Sequence, residues 1–81
     1  MNFFAIEEQN KLSPEERIIY SLKSAKLQNR GQTLSILSED GYMTYNDFCK
    51  KGTQKILQKL KKKNMVCYFK ETNVWYWTGE E

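Results

Sequence analysis

The fold of this chain is decided by residues 53–78, which read TQKILQKLKKKNMVCYFKETNVWYWT. The first half predicts an amphipathic helix that ends near Lys63, because apolar residues recur at the spacing of one helix face. These apolar residues are Ile56, Leu57 and Leu60. The second half holds two runs of strand-forming residues, 66–70 and 74–78, and Asn73 between them suits a tight turn. This half therefore predicts a β-hairpin.

The same helix lies in a segment that carries charge of one sign. Between Phe48 and Lys70 the sequence has no Asp or Glu, although the whole chain contains 10 acidic residues. The segment contains eight lysines, namely Lys50, Lys51, Lys55, Lys59, Lys61, Lys62, Lys63 and Lys70. Such a one-signed stretch on an otherwise acidic chain creates a local positive field that attracts polyanions. It predicts a nucleic-acid-binding surface.

The residues that precede this segment predict further helices. Ser13-Pro14-Glu15-Glu16 is typical of a helix start with a capping box, and the helix is expected to run to about Leu27. Gly31 is expected near its end. A short helix is predicted over 33–40 and ends at Gly41, and Tyr42-Met43 is then expected to be extended.

Another helix is predicted from the Thr44 cap to Lys51, with Phe48 facing the core. Gly52 is expected to break this helix, so that Thr53 caps the next one. A rival register makes 33–40 one helix of a pair and fuses 44–64 into a single long helix. Glycine in the middle of that helix would cost about 1 kcal/mol, which favours the two-helix interpretation.

The chain lacks the residues that most enzymes and metal sites use. It has no histidine and two cysteines, Cys49 and Cys67, which we expect to be reduced thiols. Neither a nucleophile–histidine pair nor a phosphate-binding glycine loop can be assembled. We therefore expect no enzymatic activity, no cofactor and no metal.

The order of these elements resembles that of the winged helix-turn-helix family. The matching segments are 41–44 as the first strand and helix cap, 44–51 as the second helix, 53–64 as the recognition helix and 66–78 as the wing. Ile56-Leu57 through Val66 is similar to the family's apolar lead into the wing, with Asn64 in place of the usual glycine. The resemblance implies an α+β fold, a compact winged helix-turn-helix with an extra N-terminal helix and a C-terminal β-hairpin wing.

The resemblance also implies which residues contact nucleic acid. The recognition helix of the family enters the major groove, where glutamine can pair with adenine and lysine can reach guanine or phosphate. The residues expected at this interface are Lys50, Lys51, Thr53, Gln54, Lys55, Gln58, Lys59, Lys62, Lys63 and Lys70.

The hairpin carries aromatic rings on both faces, because neighbouring residues of a strand point in opposite directions. The helices can cover only one face, so the other requires a partner. Three alternatives stay open: the N-terminal residues fold over it, a second copy pairs with it, or its rings stack on unpaired bases. The residues of this predicted dimer or stacking surface are Phe3, Phe4, Phe69, Trp75, Tyr76 and Trp77.

These observations predict a small transcriptional regulator that binds double-stranded DNA by sequence and acts as a homodimer. The alternatives are a single-stranded DNA or RNA binder that uses the aromatic hairpin, and a module that docks an acidic protein. Residues 1–12 are expected to form an arm and 13–81 one domain. No apolar run is long enough for a membrane span. We expect a cytoplasmic location, or the host cytoplasm or nucleoid if the regulator belongs to a virus or mobile element.

Overall fold

A computed structural model describes residues 12–79, which form three helices and a three-stranded antiparallel sheet. In chain order the elements are α1 Pro14–Lys26, β1 Gln32–Thr33, α2 Leu34–Tyr42, α3 Asp47–Lys62, β2 Val66–Phe69 and β3 Val74–Trp77. The strands lie in the order β1-β3-β2. Helix α1 packs against α2 and β3, and α2 packs against α3. The class is α+β, as the sequence predicted.

The predicted N-terminal arm, residues 1–12, lies outside the described residues except for Leu12. The predicted surface residues Phe3 and Phe4 lie outside them as well. Within 12–79, no helix is both long enough and apolar enough to cross a bilayer.

Helix α1 begins where the sequence predicted, at a reciprocal capping box. The backbone N–H of Glu16 donates to Ser13 Oγ at 3.2 Å, and the backbone N–H of Ser13 donates to Glu16 Oε1 at 3.1 Å. The Ser13 backbone bond, together with the bond between the Ser13 side chain and Glu16, lowers the pKa of Glu16 below its ordinary value. After the helix, Asn29 rather than Gly31 takes the left-handed backbone, with φ 56°. The expected role of Gly31 as helix terminator is therefore wrong.

One continuous helix, α3, replaces the two helices predicted on either side of Gly52. The helix begins after Asn46, whose Oδ1 accepts a hydrogen bond from the backbone N–H of Cys49 at 2.9 Å, so the predicted cap Thr44 is wrong. Thr53 lies inside the helix and caps nothing. The fused register, which was the rival interpretation of the sequence, is the correct one for this segment.

Gly52 lies in the middle of α3, where the Tyr42 side chain of α2 approaches the helix. A Cβ at this position would collide with the hydroxyl end of the Tyr42 ring. Tyr42 is the last residue of α2, which runs two residues past the predicted end, and Gly41 lies buried inside that helix. The predicted extended piece at 42–43 is therefore wrong, because Met43 instead ends the helix in a left-handed conformation with φ 65°.

The sheet combines the predicted hairpin with a third strand at a position that the sequence did not indicate. Strands β2 and β3 pair as predicted, and Asn64 and Asn73 both take the left-handed backbone, with φ 60° and 55°. The extra strand β1 pairs Gln32 with Trp75 on β3. The first strand therefore lies at 32–33, and its predicted place at 41–44 is wrong.

The core lies between the helices and the inner face of the hairpin. Its buried side chains come from every helix and from both hairpin strands: Ile18, Leu22, Leu37, Leu57, Leu60, Val66, Trp75 and Trp77. Lys23 adds a cation–π contact, with Nζ 5.2 Å from the centre of the Trp77 ring. Burial of these side chains is the main source of stability for a chain of this size.

The capping box predicts a pH dependence of stability. Because the pKa of Glu16 is lowered in the folded state, its contribution is present above the ordinary carboxyl pKa and is lost as pH falls through the lowered value. Glu16→Gln keeps the acceptor oxygen but does not titrate. We expect the wild type to melt above this variant near neutral pH and the difference to shrink in acid. Circular dichroism melts across a pH series measure this, and a constant difference would contradict it.

The contact at Gly52 predicts a coupling with Tyr42. Alanine favours a helix by about 1 kcal/mol over glycine, but Gly52→Ala should gain less than that, because the hydroxyl end of the Tyr42 ring must shift to admit the new Cβ. In a Tyr42→Ala background the same replacement should stabilise by about that amount. Urea unfolding of the four proteins gives the coupling as a double-mutant cycle. Equal effects of Gly52→Ala in both backgrounds would show that the ring does not require the glycine.

Candidate nucleic-acid interface

Helix α3 buries one face and exposes another that is rich in lysine. The buried side chains follow helical spacing: Cys49, Thr53, Leu57 and Leu60. The opposite side carries exposed polar residues that together line one shallow surface, here called the lysine face: Lys51, Gln54, Lys55, Gln58, Lys59, Lys62 and Lys63. Lys50 and Lys61 are exposed beside it. Nearly all of the predicted contact residues of this helix therefore lie on its exposed side.

Thr53 does not belong to this surface. Its side chain is 0% exposed, and its Oγ1 donates a hydrogen bond to the backbone carbonyl of Cys49 at 2.8 Å. Thr53 precedes Leu57 by four residues, which places both on the buried face of a continuous helix. The prediction that Thr53 contacts nucleic acid is therefore wrong.

The lysines of the lysine face differ in whether a nearby carboxylate balances their charge. Lys59 Nζ lies 3.1 Å from Glu15 Oε1 on α1, so part of its charge is balanced by that carboxylate. Both groups are partly exposed, and a surface pair of this kind contributes little to stability. By helical spacing, Lys51, Lys55 and Lys62 lie directly opposite the buried face. These three lysines are the best placed to meet a polyanion.

A second groove lies between α3 and the hairpin. Gln54, Gln58 and Lys61 line it from the helix, and Tyr68 and Asn73 line it from the hairpin. Tyr68 Oη donates a hydrogen bond of 2.6 Å to Asn73 Oδ1, which ties the turn to the strand. The two glutamines therefore border both the lysine face and this groove. The remaining predicted contact residue, Lys70, is exposed at the tip of the hairpin.

The hairpin does not present its tryptophans to solvent. Trp75 and Trp77 are only 6% and 4% exposed, so the prediction that they form a dimer or stacking surface is wrong. Trp77 pairs with the buried Val66, and Trp75, two residues away on β3, lies on the same inner face of the hairpin. On the outer face, Phe69 and Tyr76 form an edge-to-face pair with ring centres 4.9 Å apart.

The chain at Gly31 covers part of the outer face of the hairpin. A Cβ on Gly31 would collide with the Val74 side chain and approach the Tyr76 ring. The chain that leads into β1 therefore lies directly against these two residues. Phe69, farther along the hairpin, is 49% exposed. Of the six predicted surface aromatics, Phe69 and Tyr76 thus remain candidates among the described residues.

Phe48 is a functional candidate that the sequence reasoning assigned to the core. The structure leaves its side chain 78% exposed, so that assignment is wrong. In the continuous helix, Phe48 precedes Lys51 by three residues and Lys55 by seven, which puts all three on one side. Only the rival interpretation, with one helix over 44–64, could have indicated this position, because only a continuous helix extends the lysine face back to Phe48.

The described residues hold few groups suited to other chemistry. Within 12–79, no three His, Cys, Asp or Glu side chains are grouped so that they could hold a metal ion. Cys49 and Cys67 are free thiols, the first buried and the second half-buried. No model of a known protein family matches the sequence, and no curated protein or solved structure matches it either. The function therefore has to be inferred from the geometry and charge of the chain's own residues.

Proposed function

We propose that this protein is a sequence-specific double-stranded DNA-binding protein, a small transcriptional regulator with α3 as its recognition helix. The observation that carries the proposal is the lysine face, which projects from the protein on a helix whose opposite face is buried. After Asp47, the helix has no acidic residue to repel phosphate. A continuous cationic helix face of this kind is typical of a surface that enters a DNA groove.

The element order supports a winged helix-turn-helix arrangement. Helix, short strand, two helices and a hairpin follow one another, and the short strand pairs with the second strand of the hairpin. In this interpretation α2 and α3 form the helix-turn-helix, and 66–77 form the wing. Because 47–62 is a single helix, α1 becomes the first of the three helices instead of an addition to them.

The dimensions and side chains of α3 suit the major groove. Its 16 residues span about 24 Å, and a major groove about 12 Å wide admits a helix. Gln54 and Gln58 carry amides that can pair with adenine, and Lys55 can reach guanine acceptors. The lysine-dense C-terminal end of the helix suits phosphate contacts. We propose that Lys50, Lys51, Lys61, Lys62, Lys63 and Lys70 supply these contacts.

We further propose that a homodimer is the form that binds. One recognition helix of this size offers few base contacts, and two symmetric copies read half-sites about 34 Å apart, one turn of the duplex. Such spacing matches protein symmetry to the symmetry of the DNA site.

A single-stranded nucleic acid is the second candidate ligand. It is favoured by the outer pair of the hairpin, in which Phe69 is 49% exposed and Tyr76 is half-buried, because this pair offers a stacking platform. Burial of Trp75 and Trp77 leaves this platform small. The lysine face also suits an acidic protein, and failure to bind any nucleic acid would leave that role as the remaining candidate.

The proposal predicts salt-dependent duplex binding through the lysine face. Lys51→Gln with Lys55→Gln should weaken binding to a random 20-bp duplex at low salt. For each phosphate that the variant no longer neutralises, the slope of log affinity against log salt should become shallower by about 0.9. Fluorescence anisotropy of the labelled duplex over a salt series measures both quantities.

A matched control removes the same charge from another part of the surface. Lys26→Gln with Arg30→Gln changes residues at the end of α1 and just beyond it. This variant should keep the wild-type salt slope. An equal decrease in affinity for both variants would show that net charge, not the lysine face, attracts the DNA. Tighter binding to a labelled single strand than to the duplex would favour the hairpin instead.

A further inference from the structure

An exposed phenylalanine stands at the N-terminal end of the lysine face. Phe48 is the second residue of α3, and at 78% it is the most exposed large apolar side chain within 12–79. Isolated apolar residues are common on protein surfaces. Phe48 differs from such residues in its position, because it lies on the same side of α3 as Lys51 and Lys55. An exposed aromatic ring therefore adjoins the lysine face at the start of the helix.

We propose that Phe48 reads thymine, with its ring against the C5-methyl group in the major groove. This inference rests on the proposed binding of double-stranded DNA. In helix-turn-helix docking, the first residues of the second helix reach the base edges. The thymine methyl is the apolar group displayed there, and phenylalanine is among the side chains that contact it.

Charge complementarity favours DNA, a polyanion, as the partner of this surface. Lys51 and Lys55 continue the same side of the helix directly after Phe48, so the ring and the cations meet one partner together. A duplex offers both groups that such a surface needs, phosphates for the lysines and methyls for the ring. Asp47, which precedes Phe48, is the single acidic residue of α3. Its place in the first turn also suits the positive end of the helix dipole.

The glutamines of α3 favour the same kind of base pair. Gln54 and Gln58 carry amides that pair with the N6 and N7 edge of adenine, while the ring of Phe48 contacts the methyl of thymine. Both contacts select A·T over G·C. The expected target is therefore a duplex rich in A·T pairs, recognised by the methyl group on one strand and the adenine edge on the other.

Replacing thymine by uracil isolates the methyl group. The probes are a 20-bp duplex of alternating A and T and the same duplex made with deoxyuridine. We expect wild-type protein to bind the thymine duplex about fourfold more tightly for each methyl contacted. Phe48→Ala should bind the two duplexes equally. Phe48 is exposed, so this variant should keep the wild-type melting temperature.

Two control variants separate the ring from the rest of the surface. Leu27→Ala removes an apolar side chain that is 67% exposed beyond α1, and it should retain the thymine preference. Lys51→Gln with Lys55→Gln should weaken binding to both duplexes alike and keep the ratio of the two affinities.

A duplex of C and G made with 5-methylcytosine provides a further test. It should bind wild type more tightly than its unmethylated form, because it restores a methyl at the same groove position.

Each other outcome decides against the inference. Equal wild-type binding to the thymine and uracil duplexes overturns the role of Phe48 and leaves the proposed function standing. A thymine preference that persists in Phe48→Ala overturns it too. The same conclusion holds if sedimentation shows that the variant differs from the wild type only in its oligomeric state. If wild type binds no duplex at low salt, the proposed function fails and this inference fails with it.

Discussion

The burial of one face of α3 is the constraint on which the rest of the structure depends. Thr53, Leu57 and Leu60 are at most 1% exposed, so the helix cannot rotate about its axis without uncovering them. This fixed rotation turns the lysines outward together. Core and candidate interface are thus two sides of the same helix, and a change that loosens the first also disorients the second.

The position of α3 relative to α2 is set by a second close contact. Glycine at 52 lets the ring of Tyr42 approach the helix backbone, and the buried Gly41 likewise lets α2 approach Ile18 of α1. Small residues at both crossings allow the three helices to pack tightly in a chain of 81 residues. The turn between α2 and α3 then presents Phe48 at the edge of the lysine face.

Local signals in the sequence predicted the elements that local chemistry controls. Ser13 with Glu16 marked the start of α1, and Asn73 marked the hairpin turn, because each satisfies a backbone requirement within a few residues. Gly52 led to an incorrect helix break because its helix penalty is local, whereas the burial of Thr53 and Leu57 that fixes the continuous helix is tertiary. Strand β1 has two residues and exists through its pairing with β3, so no local pattern indicated it.

In the candidate site as well, local sequence features were predicted correctly and features that depend on tertiary packing were not. The charge pattern located the lysine face, because charge is written directly in the sequence. Burial depends on which way an element turns, so alternation along β3 placed Trp75 and Trp77 on one face without saying which face meets the helices. The incorrect helix break likewise sent Phe48 inward and Thr53 outward. A single error of register thus accounts for both reversals.

The left-handed residues show where the chain is open to change. Within 12–79, four non-glycine residues have positive φ, and three of them are asparagines, which tolerate that backbone well. Met43 is the exception, and its conformation costs about 1 kcal/mol or more relative to glycine. It lies at the corner that joins α2 to α3. Glycine at this position would relieve that cost, so the connection between α2 and α3 retains backbone strain that a single substitution can remove.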